Sequence, residues 1–161
     1  MILAPHAIIG TAFARVVTSN PIGAFFVGFL SHFIADMIPH WEYKISNSIH
    51  PEISEKISLN KEFLKDILKL SLDGTLGLIL SFLFFYNGDP YFIIAAALGG
   101  IFPDFLQFLY GKIKTKPLIL FKRFHDLTHA DKLEDKVFFG IFSQVVVVFI
   151  FVVLSYWIYP F

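Results

Sequence analysis

Residues 31–41 read SHFIADMIPHW. They close an apolar run that starts at Pro21 with PIGAFFVGFL and would pass for an uninterrupted membrane helix but for His32, Asp36 and His40. Residues four apart stack on one face of a helix. An ionisable side chain at membrane depth is costly, and as a rule it pairs with another or lines a functional site. Taken as far as Pro39 the run has 19 positions and reaches roughly 28 Å, nearly the ~30 Å of a hydrocarbon core.

The rest of the chain agrees with a membrane class. Of 161 residues, 56% are hydrophobic, 18% aromatic and only 16% charged, against about 25% charged in a typical soluble domain. Four more apolar segments lie at about 5–17, 66–86, 91–110 and 137–159. The first is short for a span and carries Pro5 in its opening turn, where a helix tolerates proline. Two turn signals, TSNP at 18–21 and NGDP at 87–90, break the segments into pairs. The expected fold is an all-α, polytopic integral membrane protein: one domain, 1–161, of about five membrane-embedded helices. Polar loops join them at about 41–65, with one surface helix in IHPEISEKISLNKEFLKD, and at 111–136. The last segment is apolar apart from Gln144 and is expected to anchor.

Twelve of the 13 Lys and Arg residues fall within 44–69 or 112–136, and the two short turns hold none. By the positive-inside rule both loops and the N-terminus are cytoplasmic in a multi-pass plasma (inner) membrane protein. Arg15, near the outer end of the first helix, is expected to snorkel. The stretches GAFFVGFLSHFIADMIPHW and IIAAALGGIFPDFLQFLYG are loosely alike, each running through small residues and Phe to an Asp near a Pro. Acidic and basic residues balance at 13 each, so no nucleic-acid partner is expected; membrane lipids are. The absence of cysteine excludes disulfides and thiolate metal sites. Residues 1–17 lack a basic n-region and a small-residue cleavage site, and read as part of the fold.

Depth then links the polar residues. His32 lies seven residues before Pro39, Asp73 seven past Asp66 and Asp104 six before Tyr110, each about 9–10 Å inside the cytoplasmic end of its segment. His6 opens the first segment on that side, and His125 and His129 lie four apart in the second loop. His6, His32, Asp36, His40, Asp73, Asp104, His125 and His129 are therefore expected to ligate metal at one cytoplasmic cleft. Imidazole with carboxylate suits a divalent transition metal, zinc first and manganese or iron next, better than an all-oxygen calcium or magnesium cage. So many donors exceed a mononuclear catalytic zinc site, so two or more ions are expected. His40 and His129 also serve as catalytic candidates, with Glu42 as a base. Lys122 and Arg123 are candidates to hold a phosphate. Other readings pair Asp73 with Lys69, make Asp104 helix punctuation, and leave His125 with His129 as a solvated pair. His50 is read as solvated, and Trp41, Tyr43 and Tyr110 as interfacial aromatics.

PHAIIG, SHFIADMIPHW, the Pro-Asp of GGIFPDF and the late LTHA together resemble the membrane-bound, predicted metal-dependent hydrolases related to the LexA-regulated inner-membrane hydrolase of enteric bacteria. The resemblance covers most of the chain and implies hydrolase activity without naming a substrate. Two departures stand out. That family usually has an acidic residue or His soon after its Pro-Asp, where this chain has Phe105, Leu106 and Gln107, and a His-Arg-Gly lead into Thr-His, where this chain has Phe124-His125-Asp126-Leu127. The His-x3-Asp of His32 and Asp36 is also similar to a helical pair in zinc-dependent phospholipase C and related nucleases. The expected function is metal-dependent hydrolysis of a phosphoester in a lipid or membrane-proximal small molecule. The alternative is a non-enzymatic metal-binding scaffold or divalent-metal carrier, although the outer LILSFLFFY and YFIIAAAL offer a carrier almost no polar lining.

Overall fold

Asn20 and Asp89 act as helix starts. The Asn20 side chain accepts the Gly23 N–H at 2.7 Å, and Asp89 accepts those of Tyr91 and Phe92 at 2.9 and 3.2 Å. Each stands before a proline, which in the first helical turn lacks only an N–H that would go unpaired there. Gly88, at φ +107°, supplies the left-handed residue of its turn. The NP and DP signals thus join two helical hairpins. The computed structural model describes residues 1–45, 61–130, 133 and 135–159. The helices are α1 (Leu3–Val17), α2 (Pro21–Asp36), α3 (Lys61–Phe85), α4 (Pro90–Lys112), α5 (Lys116–Thr128) and α6 (Val137–Ile158), and no strand occurs among the described residues. The surface helix expected within 49–66, and His50, lie largely outside them.

Three helices, α3, α4 and α6, are long and apolar enough to cross a membrane, fewer than the five expected. The other two are shorter. Helix α2 has 16 residues, roughly 24 Å, because Ile38 precedes Pro39 and the residue before a proline is pushed out of helical conformation. Helix α1 has 15 residues and is the centre of the bundle: Ala4 to Ala12, Ala14 and Arg15 are all buried. Its Ala and Gly positions let α2, α3, α4 and α6 all pack against it, and close packing on small residues is what holds helices together in lipid. By contrast α3 and α6 turn large apolar side chains outward, among them Leu68, Leu72, Leu76 and Leu83 on α3 and Phe138, Phe142, Phe149 and Trp157 on α6. A belt of this kind suits lipid and not water.

The second loop is not a loop throughout. Residues 116–128 form α5, an amphipathic helix packed on α4 and α2, with Phe121 and Phe124 against Phe33. Arg15 does not snorkel either. It is buried, with its guanidinium 4.2 Å from the centre of the Tyr156 ring, so a cation–π contact replaces the expected reach to water. Gln144 does more than interrupt an anchor: its side-chain oxygen accepts the Ile2 N–H at 3.2 Å and its amide donates to the Trp41 carbonyl at 2.8 Å.

Gly10, Gly28 and Gly100 meet where α1, α2 and α4 cross. A Cβ on Gly28 would stand 2.3 Å from the Ala96 carbonyl oxygen, and one on Gly100 2.3 Å from that of His6. Gly74 differs, since its nearest neighbours would be side-chain carbons at 3.7 and 3.9 Å. We expect Gly28→Ala and Gly100→Ala each to destabilise the folded protein by about 1–3 kcal/mol through forced backbone separation. Gly74→Ala should leave the thermal midpoint in detergent unchanged or raise it. Equal midpoints for all three variants would refute the close-packed crossing.

Candidate metal centre

Each of those three glycines has a ligand-type residue one helical turn away on its own face: His6 before Gly10, His32 after Gly28 and Asp104 after Gly100. The crossing therefore delivers all three to one place. Asp36 and His40 follow His32 on the same chain segment. His125 arrives on α5, and His129 just beyond it is fixed by backbone pairing: the Ala130 N–H donates to the Asp36 carbonyl at 2.7 Å and the Leu133 N–H to that of His40 at 2.8 Å.

Asp36, buried like His6, His32, His40 and His125, is the hub. His6 Nε2 lies 3.1 Å and His40 Nε2 3.8 Å from Asp36 Oδ1, while His32, His125 and His129 present Nε2 at 3.1, 3.5 and 3.8 Å to Oδ2. His32 Nε2 is also 3.0 Å from His125 Nε2 and 3.8 Å from Asp104 Oδ1. Glu42 Oε1 lies 3.0 Å from Nε2 of both His40 and His129. The Met1 amino nitrogen is 2.5 Å from Asp36 Oδ1 and 3.3 Å from Glu42 Oε1. Three overlapping groups, His6 with His32 and Asp36, His32 with Asp104 and His125, and Asp36 with His40 and His129, each bring their donor atoms within 4.8 Å of one another.

The other ring nitrogens show which atoms carry lone pairs. Nδ1–H of His32 donates to the Gly100 carbonyl at 2.8 Å, that of His40 to Ile38 at 2.6 Å and that of His129 to Ala130 at 2.7 Å. A neutral imidazole that donates through Nδ1 is an acceptor at Nε2, the tautomer that a metal ligand needs and that outer hydrogen bonds fix. These acceptors face other acceptors, the oxygens of Asp36 and Glu42, which is repulsive unless a proton or cation lies between them. Among the described residues both ring nitrogens of His6, Asp36 Oδ2 and Asp104 Oδ2 are buried without a well-formed hydrogen bond, and buried polar atoms are otherwise nearly always satisfied. A tetrahedral ion with bonds of about 2.0–2.1 Å holds its ligand atoms roughly 3.3 Å apart, within the spread of the distances above. The residues could hold a metal ion.

On α5, burial and the neighbouring His32 push the His125 imidazole down to about 4, so it is neutral and free to ligate near pH 7. At His129 burial pulls the same way, but the Glu42 hydrogen bond and the Asp36 charge outweigh it and hold the ring above its ordinary value.

Asp73 has a different job. Its carboxylate accepts the N–H groups of Leu3 at 2.6 Å and Ala4 at 3.2 Å, and the Tyr43 hydroxyl at 3.1 Å. It caps the first turn of α1 from a neighbouring helix, and it belongs to none of the three donor groups. Lys69 pairs instead with Asp66, at 3.3 Å. Burial and the Asp73 charge push the Tyr43 phenol above its usual range and keep it a donor. Lys122 is engaged by Asp126 at 2.5 Å, and Arg123 is exposed, about 200° around α5 from His125. Arg123 thus points away from the centre, and the Lys122 ammonium is taken up by Asp126. Gln107 is the residue that sequence reading missed: its amide lies 2.8 Å from His125 Nε2. The available signal was its position three residues after Asp104, on the same helix face.

No family model, curated protein or solved structure matches this chain.

Asp73→Ala should leave the metal content of the purified protein unchanged while lowering stability by about 1–2 kcal/mol, the usual scale of a lost helix cap. Metal loss equal to that of Asp36→Ala would return Asp73 to the ligand set.

Proposed function

We propose that the chain is a membrane-embedded, metal-dependent hydrolase that acts at the cytoplasmic face on a phosphoester of a lipid or membrane-proximal small molecule, with zinc as the metal. The observation that carries this reading is the convergence of imidazole nitrogens on Asp36: five lie 3.1–3.8 Å from its carboxylate oxygens, and Nδ1 bonds to carbonyls fix the tautomers of His32, His40 and His129. A bound divalent metal supplies hydroxide near neutral pH and neutralises charge that develops on a phosphoryl oxygen. Glu42, 24% exposed and bonded to both His40 and His129, stands at the rim, where a carboxylate can accept a proton and pass it to water.

Two further features support a membrane-proximal substrate. Asp104, whose side chain is 29% exposed although its Oδ2 is buried, stands on the α4 side of the centre. Beside it α5 shows Leu120, Phe124 and Leu127 at 65, 50 and 85% exposure, with Lys116 and Arg123 also exposed. An amphipathic basic helix of this type lies at the lipid headgroup level, and the positive-inside rule makes that level cytoplasmic. The resemblance of PHAIIG, SHFIADMIPHW, GGIFPDF and LTHA to membrane-bound, predicted metal-dependent hydrolases agrees with this assignment.

The test is phosphate or headgroup release from vesicles containing phosphomonoester and phosphodiester lipids, with purified protein incorporated. Chelation should abolish release and added zinc restore it, and an Asp36→Ala, Asp104→Ala double variant should lose at least ~100-fold. A zinc-loaded protein inactive on every phosphoester, yet moving zinc across the bilayer, would favour a carrier instead.

A further inference from the structure

We infer that the centre holds two ions bridged by Asp36, one on each carboxylate oxygen. This rests on the metal-site reading above but not on the hydrolase assignment. The two oxygens of Asp36 face different sets of donors. Around Oδ2 lie His32 Nε2 at 3.1 Å and His125 Nε2 at 3.5 Å, with Asp104 Oδ1 3.8 Å from His32 Nε2. His32, Asp104 and His125 bring their donor atoms within 4.8 Å of one another, three of the four ligands a tetrahedral zinc takes, and Asp36 Oδ2 borders them. Around Oδ1 lie His6 Nε2 at 3.1 Å and His40 Nε2 at 3.8 Å; His129 Nε2, itself nearest Oδ2 at 3.8 Å, is joined to His40 through Glu42 Oε1, each nitrogen 3.0 Å from that oxygen.

A single ion cannot use both sets. His32 Nδ1 is committed to the Gly100 carbonyl, so His32 offers one nitrogen. That nitrogen groups with His125 and Asp104 and also with His6 and Asp36, while His40 and His129 group with Asp36, so no one group takes in all the donors. Buried atoms without a well-formed hydrogen bond lie near both oxygens: Asp104 Oδ2 and Asp36 Oδ2 itself, and both ring nitrogens of His6, whose Nε2 faces Oδ1. Charge also favours two ions. Asp36, Asp104 and Glu42 can bring three negative charges to a largely buried cluster, and one divalent ion leaves a net negative interior that a second one relieves. The Met1 nitrogen borders the second set, and its ammonium is the one-charge rival for that place.

Carboxylate-bridged ions in two-metal sites stand about 3.5–4 Å apart, close enough for magnetic coupling. Metal-stripped protein titrated with Mn²⁺ alone should take up two equivalents and give the multiline electron paramagnetic resonance spectrum of a coupled pair. His129→Gln, at the edge of the second set where the side chain is 14% exposed, should reduce uptake to one equivalent with a six-line signal, and Asp104→Asn should do the same from the other side. Uptake of one equivalent by the wild type, or two equivalents with only uncoupled six-line signals, would overturn the bridge. A coupled pair in a protein that hydrolyses nothing would uphold the bridge and remove the hydrolase assignment. Hydrolysis with a single ion would do the reverse.

Discussion

The contact of Gly10, Gly28 and Gly100 is the constraint on which the rest depends. Helices in lipid gain nothing from excluding water, and they associate through close van der Waals packing and polar contacts. At this crossing a side chain of any size would meet a backbone carbonyl. Because His6, His32 and Asp104 each lie one turn from a crossing glycine, on the same side of it, backbone proximity becomes proximity of ligands. The first elements of the centre are thus placed by rigid helices, and precision comes more readily from helices than from loops.

The later residues of the cluster are placed by a second device. His40, Glu42 and His129 lie beyond helix ends, where the chain would otherwise be free. The pairing of Ala130 with Asp36 and Leu133 with His40 clamps the two strands of chain together, and the Nδ1 bonds to local carbonyls orient the rings. Asp73 contributes from outside by tying down the start of α1, which holds His6 in register. Much of the polar cluster is therefore held by groups outside it, the kind of support by which metal sites ordinarily fix their donors.

Much of the helix plan was legible in the sequence because it rests on strong local signals. Apolar runs, Asn-Pro and Asp-Pro starts and the Ile38-Pro39 stop all act within a few residues. The misreadings have physical reasons. A depth count is a one-dimensional coordinate: it put Asp73 level with His32 and Asp104, but not on the helix face that would join them. Helix α5 was read as a loop because its charges lower its average hydropathy, although Leu120, Phe124 and Leu127 already mark one stripe at helical spacing. The ligand-to-glycine spacings, H-x3-G in α1 and G-x3-H and G-x3-D in α2 and α4, are visible once the crossing is known. Before that, nothing in the sequence says that those three glycines meet.

X-ray absorption at the zinc edge of the purified, zinc-loaded protein tests the central claim most directly. The account predicts a first shell of nitrogen and oxygen at about 2.0–2.1 Å, the usual zinc–imidazole and zinc–carboxylate range, with the outer-shell scattering of several imidazole rings. A spectrum of hydrated zinc without imidazole scattering, or no zinc retained after dialysis, would contradict it.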